Sequence, residues 1–296
     1  MSFNVYSFDK LPKFNNPIYL IGVFESFHLG HNFLYEKAKE IKKNSARDIV
    51  IVFFKDVEHM FKNKDGYIFT NFENRIQEFA NLGFTNGIYL EFEKLWALDA
   101  DSFLKKLLKN QDESIDVVVG KDFRFGLNAK GNIDTIMNFV GAERVHPVDI
   151  VKIGDNIKVS TTFLKSCIEI GDIELVNSLN LYIYSFSAQI NADDNENKVN
   201  LVTDSNIVPL KDGIYLCYIE INEMTYYAVL KANIDNLEVK FLDFELKSGV
   251  TDLKSRIRVL KSLRFISSIA DDIFLDEDII KAKKILFINK AKSTTS

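Results

Sequence analysis

Ile18-Tyr19-Leu20-Ile21-Gly22-Val23-Phe24-Glu25-Ser26-Phe27-His28-Leu29-Gly30-His31 begins as an apolar run and ends as the first turn of an amphipathic one. Residues 18–23 carry no charge, and residues 29–43 repeat their apolar positions at helical spacing. A strand apolar on both faces that passes at once into a helix is the opening of a βαβ crossover on a buried parallel sheet. The alternation continues outward from this stretch. Residues 48–54, 87–90, 116–119 and 144–151 read as further strands. Residues 72–82, 99–108, 132–140, 162–168 and 172–178 read as helices. The first part of the chain is therefore expected to be a doubly wound parallel sheet.

The pattern changes after Tyr184. Gln189 to Lys198, QINADDNENK, is polar and acidic without periodicity and reads as a loop or linker. Residues 213–221, 224–231 and 237–244 are β-rich and partly alternating, which suggests antiparallel strands. The tail over residues 251–286 is helical in spacing. The chain has 296 residues, a length that allows two domains or one large α/β unit. The change of pattern favours a division into residues 1–185 and 186–296.

Hydrophobic residues make up 47% of the chain, enough for a core and too much for a disordered polypeptide. The formal net charge of −5 supplies no global positive field to hold a nucleic-acid backbone, so no nucleic-acid partner is expected. The two cysteines, Cys167 and Cys217, lack zinc-site spacing and suggest a reduced compartment. No stretch reaches the length of a membrane span, and the N-terminus lacks the apolar core of a signal peptide. These readings lead to the expectation of a soluble cytoplasmic protein. The acidic runs Asp193-Asp194, Asp271-Asp272 and Asp276-Glu277-Asp278 read as solvated surface.

Chemistry is concentrated at the first strand-to-helix turn, which holds two of the four histidines. Ligands of an open parallel sheet sit at the carboxyl ends of strands, where a helix start offers unpaired N–H groups to phosphate. Gly30 removes a side chain that would keep phosphate from the backbone, and His28 and His31 can donate hydrogen bonds to phosphoryl oxygens as charge develops. Helix capping or zinc binding are the alternatives for the pair. Ser160, Thr161 and Thr162 precede a helix and can cap it or receive phosphate, while Lys165, one turn on, is a surface lysine or a partner for phosphate oxygens. Gly120 to Gly126 is a structural turn or a ligand loop, in which Phe123 and Phe125 pack underneath or stack on a flat ring.

Together these segments resemble the prokaryotic FAD synthetases, which join an FMN adenylyltransferase domain of the HxGH nucleotidyltransferase superfamily to a riboflavin kinase domain. His28-Leu29-Gly30-His31 matches HxGH. Val117 to Gly126, with Gly131 beyond it, is similar to the family's VVGxDFxFG segment, and Val159 to Lys165 to its ISSTxIR motif. The resemblance implies an α/β protein, a Rossmann-like doubly wound parallel sheet followed by a smaller β-barrel-like domain with a C-terminal helix. It implies His28, His31 and Lys165 as catalytic residues. Gly22, Val23, Phe24, Gly30, Ser160, Thr161 and Thr162 would bind ATP, and Gly120, Asp122, Phe123, Arg124 and Gly126 would form a flavin or nucleotide loop. Lys165 stands where arginine is usual, so charge is kept and the planar fork lost. Val23, Glu25 and Ser26 replace the usual Asn, Asp and Gly, and the family's PHP element is absent.

The resemblance weakens in the second domain. The glycine-rich loop and PTAN motif of the kinase are reduced to Asn200, with Lys198 in place of the threonine. Backbone that cradles phosphate needs glycine or a helix start, and neither is evident. Leu237 to Phe244 is similar to LEVHLLDF, which retains the catalytic base position at Glu238. The expectation is an FMN adenylyltransferase that moves AMP from ATP to FMN with Mg2+, giving FAD and pyrophosphate, with its kinase lost or weak. A fully bifunctional enzyme that also takes riboflavin, a non-catalytic flavin or nucleotide binder, and another HxGH transferase are the alternatives.

Overall fold

The computed structural model describes residues 2–61, 63–109, 111, 114–192, 199–203, 206–234, 236–246 and 249–293. In chain order its first part contains β1 (Asn4–Ser7), β2 (Ile18–Ile21), α1 (Leu29–Lys42), β3 (Ile49–Phe54), α2 (Phe72–Asn81), β4 (Asn86–Leu90) and the one-turn α3 (Phe92–Leu95). It continues with α4 (Ala100–Leu107), β5 (Asp116–Gly120), α5 (Ile133–Val140), β6 (Val145–Val148) and a hairpin of β7 (Lys152–Ile153) and β8 (Ile157–Lys158). Then follow α6 (Thr161–Glu169), α7 (Ile173–Leu179), β9 (Ser185–Ala192), β10 (Val199–Thr203), β11 (Gly213–Ile221), β12 (Met224–Ala232), β13 (Leu237–Phe241), β14 (Leu253–Phe265) and α8 (Asp276–Ser293). Contacts divide the chain into two compact units, one of Met1–Ile68 with Phe72–Thr161 and one of Phe69–Asn71 with Thr162–Ser296.

In the first unit six strands form one sheet in the order β1-β4-β3-β2-β5-β6, every neighbouring pair parallel. Val50, Ile51, Val52 and Phe53 of β3 are fully buried, as a strand covered on both faces requires. Side-chain caps fix where helices begin. Asp99 accepts from the Ser102 N–H at 2.8 Å ahead of α4, and Asn132 and Thr135 form a reciprocal capping box ahead of α5. The chain leaves β2 for β3 on one side of the sheet and later returns to build β5 and β6 on the other. The carboxyl end of β2 is therefore the point where the strand order reverses, the place an open sheet leaves a crevice. The edge strand β1 was invisible in the sequence because its four half-exposed residues, NVYS, carry no apolar run.

In the second unit the strands close into a barrel in the order β10-β13-β12-β11-β14-β9. Two sequence expectations fail here. Gln189 to Ala192 belong to β9, where Ile190 and Ala192 point inward and alternate with Gln189 and Asn191, so only residues beyond Ala192 could form the expected linker; residues 193–198, including Asp193-Asp194 and Lys198, lie outside the described residues. The tail expected to be helical contains the 13-residue strand β14. Register shifts against β11 at Ile214/Tyr215 and Leu216/Cys217 break its two-residue alternation, which leaves apolar spacings that mimic a helix. Apart from a 3-10 turn at Ile269–Asp271, helix begins only at Asp276. The acidic cluster is not all solvated either: Asp278 is 3% exposed and accepts from Arg264 Nε at 2.9 Å, and the Asp272 carboxylate lies 3.2 Å from Lys231 Nζ. Both cysteines are buried and unpaired. Among the described residues no helix is long and apolar enough to cross a membrane.

Candidate active site

The turn after β2 is built from hydrogen bonds and close packing around two imidazoles. Strand β3 reaches past the end of β2: Gly22 N–H donates to the Val52 carbonyl at 3.2 Å, and Phe54 N–H to the Val23 carbonyl at 3.3 Å. Phe24 takes a positive φ of 48°, a costly conformation for a bulky side chain, and lays its ring over Gly22. Strain of this kind persists where surrounding contacts enforce it. Here they are the Phe24–Phe27 stack, with centroids 5.9 Å apart, and the Phe24–His31 contact at 4.6 Å. Phe27 continues into an aromatic cluster with Phe79, Phe84 and Tyr35, so the histidines stand on a hydrocarbon floor.

His28 is the N-cap of α1 and accepts from the His31 N–H through Nδ1 at 3.4 Å. The His28 and His31 rings stack with centroids 3.9 Å apart and planes 15° from parallel. His31 Nδ1 lies 2.9 Å from the Ser26 carbonyl, which can only accept. These two bonds assign the tautomers of the neutral pair. His28 keeps its proton on Nε2 and is a donor, whereas His31 keeps its proton on Nδ1 and presents a bare Nε2. The sequence suggested two donors; His31 becomes a second one only when it takes up a proton.

The electrostatics hold both rings neutral. Burial, followed by the charge of Lys158, pushes His28 down to about 4. Burial, then the neighbouring His28, carries His31 well below the usual imidazole value. Both effects penalise positive charge, and an anion bound beside the rings would reverse them. Lys158, at the end of β8, forms an ion pair with Asp122 in the loop after β5. The sequence reading did not single out Lys158; a cation two residues before the Ser/Thr run was the available signal. Glycine at position 30 serves the histidine itself, because a Cβ there would lie 3.0 Å from His28 Cε1 and Nδ1. Thr161 Oγ1 is 2.8 Å from Ser26 Oγ, which ties the start of α6 to the histidine turn.

The loop from Gly120 to Gly126 divides into two parts. Asp122 and Arg124 are exposed, and Arg124 Nη1 donates to the Phe123 carbonyl at 2.9 Å. Phe125 pairs with Gly131 through two backbone hydrogen bonds of 3.1 and 2.9 Å and packs on Phe103, with Phe123 stacked on it at 5.4 Å. Gly126 has φ 71°, and a Cβ on it would lie 2.7 Å from the Ala100 nitrogen, so this end of the loop is a structural turn against α4. Ser160 is half-buried in the first unit. Thr162, exposed, and Lys165, half-buried, are counted with the second. Sequence reasoning also missed an exposed aromatic group past the carboxyl ends of β3 and β4, where Phe61 meets Phe92 at 5.2 Å and Trp96 at 6.3 Å.

In the barrel, Asn200 and Lys231 are the cross-strand neighbours of Glu238 on β10 and β12. Lys231 Nζ lies 2.9 Å from Glu238 Oε1 and donates to the Asp272 carbonyl at 3.2 Å. Asn236 Nδ2 donates to Glu238 Oε1 and to Asn200 Oδ1, each at 3.2 Å. Glu238 and Lys231 are both buried. A carboxylate held this way is committed to a neighbouring ammonium.

Residues 12–163 match the sequence pattern of the family described as FAD synthetase. A bifunctional riboflavin kinase/FMN adenylyltransferase of Buchnera aphidicola subsp. Schizaphis graminum is 26% identical over 92% of this chain and 96% of the relative. One from Buchnera aphidicola subsp. Acyrthosiphon pisum is 26% identical over 68% of this chain and 67% of the relative, and one from Bacillus subtilis 24% over 71% and 69%. A crystal structure described as a macrolide-efflux protein from Streptococcus pneumoniae superposes with a TM-score of 0.78 at 17% identity, covering 97% of this chain and 99% of the other. That likeness concerns the fold alone.

Proposed function

From the chain's membership of the FAD synthetase family, which the match over residues 12–163 establishes, we propose that it is an FMN adenylyltransferase. An oxygen of the FMN phosphate attacks the α-phosphorus of ATP, the bond to the bridging oxygen breaks, and pyrophosphate leaves as FAD forms. The observation that carries this reading is the stacked His28–His31 pair at the point where the strand order reverses, with Lys158 close enough to bias its charge. His28 donates from Nε2 to a phosphoryl oxygen. His31, drawn toward protonation by the same anion, adds a second donor as negative charge builds. Lys158 and the hydroxyls of Ser160 and Thr161 hold the leaving phosphates, the role that the resemblance implies for Thr162 and Lys165 as well; Gly22 and Val23 border the nucleotide, and the fully buried Phe24 supports the turn that carries them.

Mg2+ enters with ATP. Among the described residues no group of three or more His, Cys, Asp or Glu side chains could cage a metal, and magnesium held chiefly by phosphates and water needs none. For the flavin, Asp122, Phe123 and Arg124 on the loop after β5 and the exposed Phe61 and Trp96 with the half-buried Phe92 offer polar and flat apolar surface. We assign adenylyl transfer to residues 1–185 and the kinase-like remainder to residues 186–296.

Riboflavin kinase activity is lost or weak in this proposal, although relatives are named for both activities. What supports this is the Lys231–Glu238 pair: a general base must be free to accept a proton, and phosphoryl transfer also needs a loop and metal to neutralise charge. Purified protein given ATP, Mg2+ and FMN should form FAD and pyrophosphate. With riboflavin in place of FMN, neither FMN nor FAD should accumulate. No FAD from FMN would refute the first assignment, and flavin phosphorylation would refute the second.

A further inference from the structure

Position 26 carries serine where the resemblance leads one to expect glycine. It is fully buried, so its hydroxyl needs a partner inside the protein. That partner is Thr161 Oγ1 at 2.8 Å, and either hydroxyl can be the donor. The Ser26 carbonyl meanwhile accepts from His31 Nδ1 at 2.9 Å. One residue thus touches the imidazole pair through its backbone and the phosphate-holding hydroxyl run through its side chain.

We infer that Ser26 is a positioning residue for adenylyl transfer, its hydroxyl donating to Thr161 Oγ1 so that the Thr161 proton is turned toward a phosphate oxygen. The inference rests on the adenylyltransferase reading. The geometry favours this direction once an anion is present. Thr161 is only half-buried and Ser26 is sealed, so Thr161 alone can serve an incoming oxygen. In the chain Ser26 O–H to Thr161 O–H to phosphate each bond polarises the next. Glycine at this position would leave the threonine rotor to choose between the anion and other acceptors. Serine fixes the choice before the ligand arrives.

A double-mutant cycle tests the assignment. Ser26→Ala, Thr161→Val and the double variant would be compared for binding of tripolyphosphate and for KM of ATP and kcat in FAD formation. Ser26→Ala should weaken tripolyphosphate and raise the ATP KM about fivefold to tenfold, with kcat nearly unchanged, as loss of one hydrogen bond predicts. In the Thr161→Val background the same change should have no further effect, and Ser26→Gly should behave as Ser26→Ala. Equal effects in both backgrounds, or a loss of thermal stability with unchanged KM, would overturn the inference. Wild type that binds tripolyphosphate with the expected cycle but forms no FAD would refute the adenylyltransferase reading instead. Wild type that does neither refutes both.

Discussion

Gly30 and His28 show how closely the candidate chemistry depends on single atoms. A methyl group at position 30 would sit 3.0 Å from the His28 ring, so the ring must move by a few tenths of an ångström. Gly30→Ala is expected to cut FAD formation by roughly tenfold or more while leaving the melting temperature nearly unchanged, because misplacement costs catalysis more than packing. The neutral imidazoles also predict a pH dependence of stability. Between about 4, where His28 titrates in the folded chain, and its ordinary 6.5, the unfolded chain binds more protons. Stability should therefore rise with pH across that window and be lost as pH falls toward 4. In urea titrations at several pH values His28→Asn should flatten the slope, by up to about 3 kcal/mol over the window. An unchanged slope would mean that the ring is not held neutral. At this scale the sequence singled out His28, Gly30 and Thr161 because each falls in a short motif of its own. It was silent about Lys158, whose effect on His28 comes through a hairpin more than a hundred residues away.

Elements were legible where one periodicity governs a whole segment. β2, β3 and β5 are buried on both faces and α1 has one apolar face, so the apolar pattern located them to within a residue or two. β14 was misread because two bulges shift the phase of its inward residues, and β9 because its outward residues are as polar as a loop's. Alternation survives only while the ladder stays in register. The strand assignment has a direct test at Val259, which is fully buried and whose N–H donates to the Tyr184 carbonyl at 2.9 Å. Val259→Pro removes that donor inside the ladder and is expected to cost about 3 kcal/mol or more, read as a lower denaturation midpoint. A loss of less than about 1 kcal/mol would contradict a paired strand there.

For the whole molecule, the sequence supported an α/β sheet followed by a smaller barrel because each half keeps its own pattern, continuous apolar strands between helices and then alternating strands. What it could not supply was the fate of Glu238. The letter is retained, while its chemistry is decided by Lys231 on the neighbouring strand and by Asp272, which arrives from beyond β14. Lys231→Met would leave two carboxylates without their ammonium, and a loss of about 3 kcal/mol is expected. FAD formation from FMN, assayed where the variant is folded, should be unaffected, and a parallel loss of that activity would tie the barrel to adenylyl transfer.

The three residues Phe69–Asn71 have their partners in the second unit although the chain on either side belongs to the first. Thr70 Oγ1 donates to the Ser185 carbonyl at 2.6 Å, Asn71 Oδ1 accepts from the Ser187 N–H at 2.8 Å, and Phe69 packs edge-on to Tyr184. The polypeptide therefore crosses from one body to the other three times, and a single scission near residue 161 would not yield two self-sufficient halves. The leading fragment would keep a stitch with nothing to sew into, and the trailing fragment would have a bare seam along its first strand.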